Sequence, residues 1–196
     1  MTNPTGGAPQ GNWQAPPPGG APGGFNPNMQ QVAAEPGPAP GVTYADLVTR
    51  IIAVVIDGLI VGIAFAVLSA ALGMMGWIGS LVAALAFAGG SAAYFVYGWT
   101  TMRASFGQKF LKLETVSAAD GATLTQQQAI RRWAFLLGPA AAVQIVTALP
   151  FLWALGGILG LVAGLYELYL LYTCSQSSKR QGLHDTQAGT VVIKHA

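Results

Sequence analysis

Four apolar runs, each close to 20 residues long, constrain this chain more than anything else in it: residues 51–72, 78–99, 130–149 and 154–173. A bilayer's hydrocarbon core is ~30 Å thick and takes ~20 helical residues to cross. Inside it every backbone polar group must find a partner within the protein, so each run is expected to be a spanning helix. The connection between the first two, GMMGW, is uncharged, and the last two are joined by little more than Pro150 to Trp153. Both pairs therefore read as helical hairpins. Only 8% of the residues are charged and 53% are hydrophobic, against roughly a quarter charged in a soluble domain.

The charges that remain are placed asymmetrically. Arg50 precedes the first run, Arg103, Lys109, Lys112, Arg131 and Arg132 fall between or at the edges of the second and third, and Lys179, Arg180 and Lys194 follow the fourth. Cytoplasmic loops carry the excess of Lys and Arg, so both termini and the central loop are expected in the cytoplasm, with the chain a multi-pass membrane protein. Tyr97, Trp99, Trp133 and Tyr172 fall at the same boundary, Trp77 and Trp153 at the opposite one. A net charge of +2 gives no ground for a nucleic-acid partner. The first residues, MTNPTGGAPQGNW, carry no basic n-region followed by an apolar core, so no cleavable secretory signal is expected.

Residues 1–42 hold ten of the twelve prolines, with Gly, Gln and Asn between them. A segment with so little apolar surface cannot offset its ordering entropy, so a disordered tail is expected ahead of a transmembrane domain at 43–196. Trp13, Phe25 and Met29 are its candidate anchors for a partner.

Outside the apolar runs, Leu111 to Val116 alternates, Asp120-Gly121 is a hairpin turn signal, and Thr125 to Gln128 fits a capping box opening the next helix. GTVVIK near the C-terminus reads as a strand. The expected fold is thus all-α and membrane-embedded, four transmembrane helices in two hairpins, with a small cytoplasmic β-ribbon built from loop 109–125 and strand 189–194. Small residues recur every four positions, including Gly58 and Gly62 on the first helix and Gly156, Gly160 and Gly164 on the fourth. Such stripes let helices approach closely in lipid, where packing drives association, so these five glycines are expected at helix contacts, in a tight bundle or in an oligomer seam.

Two carboxylates interrupt the apolar runs. Asp57 lies seven residues after Arg50, roughly 10 Å further along the same helix face, and Glu167 lies at similar depth on the fourth helix. A charged residue at the centre of a span costs ~2.5–3.5 kcal/mol on insertion scales and normally finds a partner inside the bundle. One reading joins Arg50, Asp57, Arg132 and Asp185 in a polar network that ties the bundle to the C-terminal strand. Another has Asp57 and Glu167 exchanging a proton for a cation. His184-Asp185 is expected to serve as a cap or network member rather than as a proton relay.

The single Cys174 has no partner for a disulfide and no neighbours at metal-ligand spacing. No catalytic set, metal site or cofactor loop is recognisable, so neither enzymatic activity nor a cofactor is expected.

With these pieces together, RIIAVVIDGLI with Arg50 and Asp57, SFGQKFLKLETVSAADG, the arginine pair of AIRRWAF, and LHDTQAGTVVIK with Asp185, the chain resembles the RDD family of small bacterial membrane proteins, over roughly residues 44–194. The resemblance implies a membrane bundle, and for some members transport by cation/proton exchange; a Pro/Gly-rich tail resembles an arrangement found in some of them. Three functions remain open on these grounds, the least favoured being a lipid- or envelope-related anchor whose tail recruits cytoplasmic partners. The first is a non-catalytic subunit docked on a larger inner-membrane complex, respiratory or envelope-related. The second is a small cation/proton transporter, acting as a homo-oligomer.

Overall fold

A computed structural model describes residues 37–195. Trp13, Phe25 and Met29, and most of the tail assigned to 1–42, lie outside the described residues. The elements are β1 Val42–Tyr44, α1 Leu47–Gly73, α2 Gly76–Thr101, α3 Phe106–Phe110, β2 Leu113–Ser117, α4 Gln126–Leu136, α5 Gly138–Ala148, a short 3-10 turn Trp153–Leu155, α6 Gly156–Gln176, α7 Leu183–Ala188 and β3 Thr190–His195.

Helix α1 starts where Asp46 caps it, its carboxylate accepting from Thr49 N at 2.9 Å and from Thr49 Oγ1 at 2.5 Å. The helix runs for 27 residues, apolar but for Thr49, Arg50, Asp57 and Ser69, about 40 Å in length. α2 returns alongside it, so tightly that a Cβ on Gly79 would overlap the Leu72 carbonyl oxygen. Phe65 and Phe87 meet midway, with ring centroids 4.8 Å apart.

Among the described residues three helices are long and apolar enough to cross a membrane, α1, α2 and Trp153–Gln176. The single helix expected over 130–149 is instead broken in two. Pro139 has no N–H to continue the ladder and restricts the backbone of Gly138 before it, and α4 stops at Leu136. α5, with eleven residues, is about 16 Å long, roughly half the thickness of a bilayer core. The two pieces still run antiparallel to α2 along most of its length. Arg132 of α4 lies against Trp99 near one end, Trp133 Nε1 donates to Ser91 Oγ at 3.2 Å, and Gln144, Thr147 and Ala148 of α5 face Ser80, Ala83 and Ala84 near the other.

The β-structure also differs from the expected ribbon. Loop 109–125 supplies one strand, not two: Gly121 N bonds back to Ser117 O at 2.9 Å, so a turn forms at Asp120-Gly121, but the chain then enters α4. The third strand comes from Val42–Tyr44, ahead of the first helix. The sheet order is β1-β3-β2, antiparallel throughout, with Tyr44 opposite Ile193 and Val116 opposite Val191. Gly189, at φ 65°, ends α7 and turns the chain into β3. This pairing brings the entry of α1, the exit of α2 and the exit of α6 to one end of the bundle.

The closest packing is at that end. Leu113, Val116, Val191, Val192 and Ile193 of the sheet are buried, as are Phe95, Trp99, Leu124 and Ala129 beside it. The outer faces of α1 and α6 are apolar and exposed, Ile63, Val67, Ile158 and Leu161 among them, as surfaces that face lipid or another membrane protein must be. The expected role of the glycines as helix contacts within the chain needs correction. A Cβ on Gly58, Gly62, Gly160 or Gly164 would meet nothing within 4 Å; only Gly156, 3.2 Å from the Thr147 methyl, is close-packed.

Candidate functional site

The polar residues of the bundle gather at the sheet end in two clusters that share α1. The first is built on Asp185. α7 is wound so that this carboxylate, fully buried, accepts from Gly182 N at 3.1 Å and points into the bundle. Arg50 Nη2 donates to its Oδ2 at 2.7 Å, and Arg132 Nη1 pairs with its Oδ1. Thr190 Oγ1 completes the shell, 3.2 Å from Oδ1 and 2.7 Å from Arg132 Nη1. Arg50 also donates through Nη1 to the Arg180 carbonyl and to Cys174 Sγ, the latter at 2.9 Å. The Arg132 guanidinium stacks over Trp99, 5.0 Å from the ring centroid, a geometry in which a desolvated cation is attracted to the ring face. Two buried guanidinium groups thus share one carboxylate.

His184 packs beside them with Nε2 3.5 Å from Asp185 Oδ2. Burial, reinforced by the positive charges of Arg132 and Arg50, holds its pKa well below the usual histidine value, so the ring is neutral at pH 7.

The second cluster is built on Asp57, and it contains no arginine. The sequence placed Asp57 with Arg50 and Arg132; the structure surrounds it with neutral donors instead. Tyr94 O–H donates to Oδ1 at 2.7 Å, Gly107 N–H to Oδ1 at 2.8 Å and Ser105 O–H to Oδ2 at 2.5 Å. The chain leaving α2 folds back over α1 to supply the last two. Gly107 is required there, because a Cβ would overlap the Ala53 carbonyl oxygen and lie 2.9 Å from Asp57 Cγ. Gln108 holds the turn: its Oε1 accepts from Trp99 Nε1 and Ser105 N, each at 3.0 Å, and from Thr115 Oγ1 at 3.1 Å.

Between the clusters lies a cavity of about 260 Å3, lined by Arg50, Asp57, Arg132 and His184 and, on the α6 side, by Glu167 and Cys174. Of the expected site residues, Arg50, Arg132 and Asp185 are in direct contact, while Asp57 and Glu167 meet only as parts of this wall. Glu167 is half-buried, and among the described residues it has no hydrogen-bond or ion-pair partner. Tyr166 beside it bonds elsewhere, to the Phe135 carbonyl at 2.6 Å. Groups of three or more His, Cys, Asp or Glu able to hold a metal are absent among the described residues.

A family model describing the RDD family matches residues 44–189. The chain belongs to the RDD family. No curated protein and no solved structure matched it. The matched span of this RDD chain contains α1 through α7, and with them Arg50, Asp57, Arg132 and Asp185.

Sequence reasoning missed Tyr94, Ser105, Gly107, Gln108 and Thr190. One signal was present: Ser105-Phe-Gly-Gln108 has the S-x-x-Q spacing of a capping box, which the structure forms in full. That box announces α3, and α3 brings the donors to Asp57.

Proposed function

We infer that this RDD protein is a non-catalytic integral membrane subunit that docks on a larger complex in a bacterial inner membrane, respiratory or envelope-related. The observation that carries this reading is the outward-facing small-residue stripe on α1, Gly58, Gly62, Ala66 and Ala70, with Gly160 and Gly164 on α6. These positions are exposed and leave open space where a second backbone could approach, which is how close helix contacts in lipid are made. Asp57 supports it from the other side. Its carboxylate is engaged by three donors that fasten α1 to α2 and α3, which is a structural use of the charge.

In this reading α4 and α5 together form the fourth crossing, since they parallel α2 along most of its length. The sheet end, flanked by Lys109, Lys112, Arg131, Lys179 and Lys194, faces the cytoplasm, and both termini lie there.

The test is a mild-detergent pull-down of the chromosomally tagged protein, with mass spectrometry of what co-purifies. A stoichiometric set of membrane subunits is expected, and Gly58→Leu with Gly62→Leu should abolish it while leaving expression unchanged. Deleting residues 1–42 separates the tail's share of the docking from that of the helices. Recovery of the protein alone or as a homo-oligomer overturns the reading.

Glu167 favours a second reading, a cation/proton transporter, because it is a half-buried carboxylate on a cavity wall without a partner among the described residues. Intramembrane acids of this kind mark proton and ion pathways. Cation-dependent proton flux in reconstituted vesicles, lost in Glu167→Gln, is its expected signature; absence of flux removes it.

A further inference from the structure

The cavity between the two polar clusters has a polar floor and an apolar mouth. Arg50, Arg132 and His184 form the floor, each no more than 9% exposed. Val54 and Val55 of α1 and Leu171 of α6 form the mouth and are exposed on the helix faces that meet the membrane. Two side-chain atoms of these floor residues have no hydrogen-bond partner among the described residues, Arg132 Nε and His184 Nδ1. A guanidinium N–H can only donate, and a buried donor left unpaired is destabilising. The neutral His184 ring has Nε2 3.5 Å from the Asp185 carboxylate, so the proton belongs on Nε2 and Nδ1 presents a lone pair.

The floor therefore calls for a group that offers an acceptor oxygen to Arg132 and an O–H to His184, and the mouth calls for hydrocarbon. Carboxylic acid and phosphate-monoester heads both meet the first requirement, because each carries acceptor oxygens and, when singly protonated, a hydroxyl. Asp57 and Glu167 line the same wall and oppose a head with two negative charges. At about 260 Å3 the cavity falls just below the usual ligand-pocket range of roughly 300–1,000 Å3, enough for a head and the first carbons of a chain.

We propose that this cavity binds a single-chain amphiphile with an oxyacid head, the head on Arg132 and His184 and the chain leaving between α1 and α6 into the bilayer. Recognition is by hydrogen bonds rather than by net charge, so added salt changes it little, unlike the attraction of a lipid surface to exposed lysines. The site stands independently of the docking reading.

The test is native mass spectrometry of the full chain released from a neutral detergent after titration with palmitate, 1-palmitoyl lysophosphatidic acid or hexadecanol. One bound molecule per chain is expected with an acid-headed probe, and roughly 10- to 100-fold weaker binding of hexadecanol, whose single oxygen must serve both Arg132 and His184 where an acid head has separate oxygens for the two. Binding of palmitate alone identifies a fatty acid as the ligand, binding of the lysophosphatidate alone a phospholipid product, and binding of both the shared head chemistry. Val54→Trp fills the mouth from an exposed position, so the fold should survive, as an unchanged thermal midpoint would verify, while binding should fall at least about tenfold. The proposal is overturned if no probe binds, if hexadecanol binds as tightly as the acids, or if a folded Val54→Trp protein binds them unchanged.

Discussion

Replacing Asp185 with Asn removes one negative charge from between two buried guanidinium groups while keeping the side chain's shape. The side chains of Arg50 and Arg132 are 10% and 4% exposed, so neither can turn to water. Asn offers one carbonyl oxygen where the carboxylate offered two, and its amide hydrogens face a cation. Breaking a buried pair by removing one partner costs about 3–5 kcal/mol, because the charge left behind is uncompensated. For a chain of this length that corresponds to a fall of about 6–20 °C in Tm. Thermal unfolding of the purified protein in a fixed detergent, followed by near-ultraviolet circular dichroism, measures it. The triple change Arg50→Met, Arg132→Met and Asp185→Leu should recover part of the loss, since well-packed apolar groups often replace buried ion clusters without harm. An Asp185→Asn protein that melts within about 2 °C of the unaltered chain refutes the view that this carboxylate neutralises both arginines.

Asp57→Ala leaves the Tyr94 hydroxyl, Ser105 hydroxyl and Gly107 amide without their acceptor, and should cost about 1–3 kcal/mol per buried group left unsatisfied; protease cutting between residues 101 and 113 should rise as α3 detaches. Gly107→Ala should detach the same turn, and a proteolysis pattern unlike that of Asp57→Ala would separate the two causes. His184 titrates far below its unfolded value, so the unfolded chain takes up a proton first as pH falls through about 6.5. Stability should therefore be lost progressively below that pH, and the His184→Asn protein should show a smaller acid slope in unfolding midpoints measured from pH 7.5 to 5.

The hairpin of α1 and α2, the apolar character of α6 and the capping box at Thr125 were all legible in the sequence, because each depends on local composition or on residues three apart. The break after Leu136 was also written there, in Gly138-Pro139, but an apolar run of twenty residues hides a proline's effect when only hydropathy is followed. The sheet was only partly legible. β3 has a strand's composition, whereas β1 has three residues and forms because β3 offers it an edge. The partner of Asp57 could not be read from helix periodicity at all. Arg50 lies on the same helix face, but Arg50 is held by Asp185 from 135 positions away, and Asp57 by a turn 50 positions away. Non-local pairing decided both.

α1 is the element on which both clusters converge. Arg50 joins it to α7 and, through Asp185, to Arg132 of α4; Asp57 joins it to α2 and α3. The same helix turns the stripe of Gly58, Gly62, Ala66 and Ala70 outward. Asp57 and Gly58 are adjacent, so a helix seated on the stripe would press on the backbone that carries the carboxylate. A rotation of α1 by even 20° about its axis would move a side-chain oxygen several Å from the axis by about 1–2 Å, enough to lengthen a 2.5–2.8 Å bond past the hydrogen-bond limit. Docking at the stripe would therefore be coupled to order in α3. If a partner binds there, the amide of Gly107 should exchange with solvent at a different rate in the complex than in the isolated chain, and an equal rate in both states would show that the helix bears its partner as a rigid post.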